Sequence, residues 1–448
     1  MIRSTRPPMR SPIRSAARAG RGAVGWCVFA ALLAVAASAR AQVPDPASFA
    51  TLFPPDIRSP GQAPGVTVLS RARPDYDPLP VRLGVLEARP GLTLGTGYDT
   101  DPAGLPGQAG SAESLIAPSL ALGAGWGRDR LGVRLGAEDH RFASAPALDR
   151  TDWTAGAGLR LGFGRTRLSL AAVSHALHEE GSTIGALPTD RPLAYRLDAA
   201  RVALRWSDRI VSLTPAVELA SWRYATAVLD GIGIPQAYRD RAVGRAMLTA
   251  RYRLDPGSDL VLTMRDTATH YTAPVAATPS HDSNAVAVLA GIEDAADPLL
   301  RVRLLAGWEQ RRFAGYGARA APIVEAQAIW QPDGLTTMTA TAWRRMEDAA
   351  QEGVAGYTET AGSLALDREL RRNLILSLAL GAQHAVFTDG AREDGADAGL
   401  AARWRLNRWL RVTATETVTV LQGTASALLP GGRRITRSVS LLRCGLGW

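Results

Sequence analysis

The side chains with the strongest chemistry in this chain are arginines. Arg134, Arg160, Arg205, Arg245, Arg251, Arg253, Arg265, Arg301, Arg303, Arg403 and Arg405 occupy alternate positions of extended segments, most of them within a few residues of a short turn. Alternate residues of a strand share one face. Guanidinium groups gathered on one face grip carboxylates or phosphates through paired bonds. On that basis Arg134, Arg160, Arg205, Arg251, Arg253, Arg301, Arg303, Arg403 and Arg405 are candidate contacts for an acidic polymer or solute. A structural reading competes with this one. Glu138, Glu218, Glu293, Glu309, Glu325 and Glu359 fall on the same faces and offer the arginines partners within the protein.

Other chemistry is sparse. Histidines 140, 175, 178, 270, 281 and 384 are scattered near strand ends. His175 and His178 differ by three positions, so on a strand they face opposite sides and are not a metal pair. His270 or His384 could join a serine of a neighbouring strand, but nothing singles out a nucleophile, base and orienter. The sequence therefore assigns no catalytic residue, no metal and no cofactor, and the chain is not read as an enzyme. Cys444 has no Cys or His near it in sequence and reads as inert. Glycines such as those of LGAGWG alternate along a strand and form no phosphate loop. Basic residues do not interleave with aromatics as single-strand nucleic-acid binding requires.

These residues need elements to position them. Residues 1–41 read as a secretory signal peptide, with an Arg-rich start, an apolar run over Gly25–Ala37 and a cleavage site at Ala39-Arg40-Ala41. The formal net charge is +9, but residues 1–41 carry seven arginines and no acid. The remaining chain is left with about +2, which is no signature of nucleic-acid binding. No later stretch reaches the roughly 18 apolar residues of a membrane helix. Residues 42–80 are rich in Pro and polar residues and read as a disordered arm in the periplasm.

From Val81 the pattern changes to strict alternation. Ser114–Ala137 places Ile116, Pro118, Leu120, Leu122, Ala124 and Trp126 on one face, turns at Gly127-Arg128-Asp129, and resumes with Leu131, Val133 and Leu135. That unit recurs to the end of the chain. It predicts about eighteen strands (within about 16–20), from 83–98 through 320–331 and 397–406 to 434–448. The fold class expected is all-β: a transmembrane antiparallel β-barrel over 81–448. Short turns alternate with longer loops, as periplasmic turns alternate with extracellular loops, and an even strand number puts both termini in the periplasm. Trp126, Phe163, Trp206, Tyr252, Trp330 and Trp404 precede short turns on the apolar face, and Trp448 ends the chain. Amphipathic rings favour the headgroup level, so these seven form the expected membrane-interface girdle. Ile292 and Leu366 interrupt the series. No loop much exceeds about fourteen residues, which predicts a wide bore without a constricting loop.

One segment is more specific than the pattern. Val66–Asp101 carries Arg71, Arg73, Pro74, Tyr76, Asp77 and Pro78, then Pro90, Leu92, Gly95, Gly97, Tyr98 and Asp99. It resembles the start of an outer-membrane β-barrel porin family found with exopolysaccharide secretion genes in proteobacteria, whose members have R-x-R-P-x-Y-D-P and P-x-L-x-x-G-x-G-Y-D. Asp101 stands near the family's usual Asn. The resemblance implies a barrel of this size in the outer membrane of a Gram-negative bacterium, exporting a polysaccharide, and brings no catalytic residues. A general or anion-preferring diffusion porin, and a structural or adhesive barrel with a blocked lumen, are the alternatives. The expected partners are outer-membrane lipid, an anionic polysaccharide, the barrel assembly machinery through the last strand, and a periplasmic export component through 42–80. Nucleic acid is not among them.

Overall fold

The computed structural model describes residues 66–105, 107–273, 278–424 and 432–447. The expected signal peptide, the first part of the arm and Trp448 lie outside these residues. In chain order the strands are β1 (Val81–Leu83), β2 (Leu86–Asp99), β3 (Ser111–Trp126), β4 (Asp129–Phe142), β5 (Arg150–Phe163), β6 (Thr166–Glu179) and β7 (Leu193–Ser207). There follow β8 (Val211–Tyr224), β9 (Ala227–Leu229), β10 (Ile232–Ile234), β11 (Arg241–Asp255), β12 (Ser258–Tyr271), β13 (Ser283–Asp294) and β14 (Leu300–Phe313). The last are β15 (Gly317–Asp333), β16 (Thr336–Glu347), β17 (Tyr357–Arg371), β18 (Leu374–Phe387), β19 (Arg392–Arg405), β20 (Leu410–Gly423) and β21 (Arg433–Gly447). Each long strand pairs antiparallel with the next, and β21 returns to β2 from Gly91↔Gly447 to Asp99↔Val439. Eighteen strands thus close a ring, which removes the free edges an open sheet would expose. β9 and β10 form a separate hairpin within a loop, and β1 pairs only with Leu86–Ala88 of β2.

The alternation read from sequence becomes an outside and an inside. Across β5–β8 the outward residues fall in register: Phe163, Thr166, Trp206 and Leu213 in one row, then Leu161, Leu168 and Leu204, then Leu159, Leu170, Val202 and Val217. Only an apolar solvent makes such a face stable. All six described girdle aromatics stand on this outward face and are exposed, from 39% at Trp206 to 59% at Phe163. Two expectations shift. β19 begins at Arg392 rather than 397, because its charged start is strand: Glu393 turns inward toward Arg433, and Asp394 meets His384 outside at 2.7 Å. β15 likewise starts at Gly317, so the connections into β15 and β19 are only a few residues long.

The two ends of the ring differ. At the short-turn end, residues 66–80 run along the rim. Gln331 donates to the Val66 carbonyl, Val68 N–H donates to Thr337, Arg73 pairs with Glu369 at 2.5 Å, and Asp77 pairs with Arg405 at 2.8 Å. Arg73 and Glu369 are both buried, so this is a seated latch. At the long-loop end, inward residues such as Leu115, Leu197, Trp222, Leu421 and Ile435 are buried, which requires something to fill the lumen there.

Candidate functional site

The lumen wall is basic on one side and neutralised on the other. On β4–β7, Arg130 lies directly opposite Arg160, and Arg167 directly opposite Arg205. Arg160 and Arg167 make no hydrogen bond or ion pair among the described residues. Among the described residues Arg130 bonds only to backbone carbonyls of its own turn, and Arg205 to the Ser207 hydroxyl at 3.1 Å. Arg134 faces inward four residues further along β4 than Arg130, opposite Gly156. A second basic group spans β19–β21: Arg405 lies opposite Arg411, and Arg403 and Arg443 flank Thr413. Like charges directly opposite one another cost stability unless water or an anion lies between them.

On β11–β15 the arginines are spent. Arg251 pairs with Glu293 at 2.8 Å, Arg303 bridges Glu293 at 3.1 Å and Glu325 at 3.0 Å, and Arg265 closes the far side of Glu325. Arg253 reaches Asp259 at 3.4 Å. Inward Val261, Leu289, Leu305 and Ile323 form a buried cluster on the same wall. The nine arginines expected to act together therefore divide. Arg251, Arg253 and Arg303 belong to an ion-pair ladder, and Arg405 is held by the arm. Arg403 bonds Ser377, which in turn donates to Asp367. Arg134, Arg160 and Arg205 line the basic wall, while Arg301 stands opposite Ile329 on the neutralised side. Two members of the basic wall, Arg130 and Arg167, were not candidates in the sequence. Their register partners, Arg160 and Arg205, could have exposed them once hairpins were aligned.

The expectation of a bore without a constricting loop is overturned. Residues 180–192, between β6 and β7, cross the lumen to the opposite wall. Gly185 N–H donates to Glu393 of β19 at 2.8 Å, and Arg433 of β21 donates to the carbonyls of Thr183 and Ala186. Ile184 packs with Val354, Phe387, Leu421 and Ile435. A Cβ at Gly185, whose φ is +74°, would stand 3.2 Å from the Tyr357 ring of β17. The start of the loop is pinned by Arg437, which donates to both oxygens of Asp99 and to Glu180 and Ser182. Loop length misled the sequence reading: thirteen residues suffice when many of them bond the far wall.

A second inward loop, 348–356, meets the first. Asp348 pairs with Arg241 at 3.2 Å and with Arg311, and Tyr238 donates to the Ala350 carbonyl at 2.8 Å. Burial opposes ionisation of Asp348, yet Arg311 and Arg241 hold its carboxyl below the usual value. Burial pushes the Tyr238 phenol up to about 12. Nearby, His281 lies 3.0 Å from the Tyr316 hydroxyl and edge-on to Tyr271, and burial lowers its basicity. His270 and His384, the histidines the sequence left open, pair with Asp282 and Asp394. His175 meets Thr154, and His178 meets Asp152.

The residues that carried the sequence resemblance have structural work. Arg71, Arg73 and Asp77 fasten the arm to Glu369 and Arg405, and Asp99 holds Arg437. A family model described as "Putative beta-barrel porin 2" matches residues 73–427. Among solved structures, the chain is similar to the outer membrane protein opdK from Pseudomonas aeruginosa, at 13% identity and TM-score 0.38, covering 81% of this chain and 99% of that one. It is similar to OccK9 (OpdG) of the same organism at 14% identity and TM-score 0.44, covering 81% and 98%. It also resembles the ferric-catecholate import receptor Fiu from E. coli K12 at 8% identity and TM-score 0.45, covering 82% of each. No curated protein matches the sequence.

Proposed function

We propose that this chain, which belongs to the family described as "Putative beta-barrel porin 2", is an anion-preferring conduit of the Gram-negative outer membrane. The family and the fold make it an outer-membrane β-barrel of porin type. The preference is the further step, and one observation carries it: Arg130 faces Arg160 and Arg167 faces Arg205, and among the described residues no carboxylate bonds any of the four. Fixed cations along a lumen raise the local concentration of anions and lower their entry barrier. The arginine-lined vestibule opens at the short-turn end, which faces the periplasm, while the long loops face outward. The sorting of connection lengths and the arm at the turn end support that orientation. Trp126, Phe163, Trp206, Tyr252, Trp330 and Trp404 then mark the periplasmic headgroup level. The last strand, β21, is the element offered to the assembly machinery.

Small acidic solutes suit this geometry better than a polymer, because residues 180–192 occupy the lumen. Export of an anionic polysaccharide requires that loop to leave. Swelling of proteoliposomes separates the readings. The account expects faster swelling in a uronate than in a neutral sugar of equal size, and equal rates would refute the anion preference. Loss of secreted polysaccharide in a deletion strain, with solute uptake intact, would establish export instead.

A further inference from the structure

We infer that the outward face of β5–β8 carries a binding site for the phosphate of an outer-leaflet lipid headgroup, centred on Arg196 and Arg223. The two arginines lie directly opposite each other on β7 and β8. They continue an outward row that begins with Trp153 on β5 and Ala176 on β6. The Arg196 guanidinium sits over the Trp153 ring, 5.9 Å from its centroid. Arg196 also pairs with Asp198 at 3.0 Å, whereas Arg223 makes no hydrogen bond or ion pair among the described residues. Both arginines are exposed, and no element of the barrel covers them.

Height decides what solvent this row meets. Trp153 is ten residues along β5 from Phe163, and Arg196 ten along β7 from Trp206. At about 3.4 Å per residue and a tilt near 40°, the arginine row stands roughly 26 Å above the aromatic row, matching the apolar band of an outer-membrane barrel, about 25 Å tall. Between the rows the face is apolar or small apart from Asp198, two residues from Arg196 toward the aromatic row, which Ser174 and Arg196 both bond. The arginines therefore fall at the far headgroup level, where an interfacial Trp also belongs. An unpaired guanidinium there, beside a second one, suits a phosphate held by paired bonds. In the orientation proposed above, that leaflet is the outer one. The ligand is then a phosphorylated glycolipid rather than a phospholipid of the inner leaflet.

The test uses the folded full-length barrel in neutral detergent and native mass spectrometry. Four probes are compared: bisphosphorylated lipid A, the same lipid dephosphorylated, phosphatidylglycerol and inorganic phosphate. The wild type should retain lipid A at least tenfold better than the dephosphorylated lipid. R196A/R223A should lose that advantage, the R196K/R223K pair should keep part of it, and D198N should strengthen it. Heat-modifiable gel mobility confirms that each variant is a closed barrel. Equal retention by R196A/R223A, binding of the dephosphorylated lipid, or displacement by equimolar inorganic phosphate overturns the site. Preference for phosphatidylglycerol overturns the outer-leaflet assignment and the orientation with it. Channel conductance of the same preparation reports separately on the conduit.

Discussion

Replacing Arg437 by alanine should open the long-loop end of the lumen. Arg437 donates to Asp99 at 2.6 and 3.0 Å, to Ser182 at 3.2 Å and to Glu180, and thereby ties β2, β21 and the inward loop together. The Asp99 side chain is 1% exposed. Removing one member of a buried pair leaves a buried charge without compensation, a change worth about 3–5 kcal/mol. Water in the nearby lumen favours the lower end. At 1.36 kcal/mol per decade, about 3 kcal/mol shifts the ratio of docked to undocked loop by roughly a hundredfold. The β2–β21 seam is also held by its ladder from Gly91↔Gly447 to Asp99↔Val439, so R437A should keep its heat-modifiable mobility. In planar bilayers its mean single-channel conductance should exceed that of the wild type, with R437K between them. A folded R437A with wild-type conductance would refute the claim that residues 180–192 obstruct the lumen.

Other consequences follow from the same contacts. R73A removes the buried partner of Glu369, so trypsin should cleave within 66–80 at least tenfold faster, and unchanged cleavage would unseat the latch. R251A breaks the ladder and should lower unfolding stability by about 1–3 kcal/mol. R160A relieves repulsion and should stay within about 0.5 kcal/mol of wild type; the reverse ranking would contradict the division of the lumen wall. Burial depresses the His281 pKa, so its neutral form is the one the folded loops accommodate. That contribution is complete above the unfolded value near 6.5 and declines as pH falls below it. Hydrogen-exchange protection at 278–282, each rate divided by the intrinsic rate at its pH, should therefore fall from pH 7.5 to 5, and H281F should flatten the fall. Asp348 is depressed as well, so its contribution is lost only in more acidic solution, as pH falls below about 4.

Strand order and the outward face were legible because alternation and turn residues are local signals. Trp126 and Phe163 end their strands, and Trp206 stands one residue from the end of β7, each beside a turn that the sequence itself marks. The lumen was less legible, because pairing there depends on register between strands. Arg303 and Arg160 look alike in sequence, yet one lies between Glu293 and Glu325 and the other faces Arg130. The inward loop was hidden for another reason. Gly185, Glu393 and Arg433 are brought together by ring closure, across more than two hundred residues of chain. The charged run at the start of β19 read as loop because charge predicts exposure; its inward half is buried against Arg433.

The most direct measurement is the reversal potential of single channels in a potassium chloride gradient. The wild type should be anion-selective, and R130A/R160A/R167A/R205A should lose that selectivity while still conducting. Cation selectivity in the wild type, or a selectivity unchanged by removing all four arginines, would contradict the anion preference.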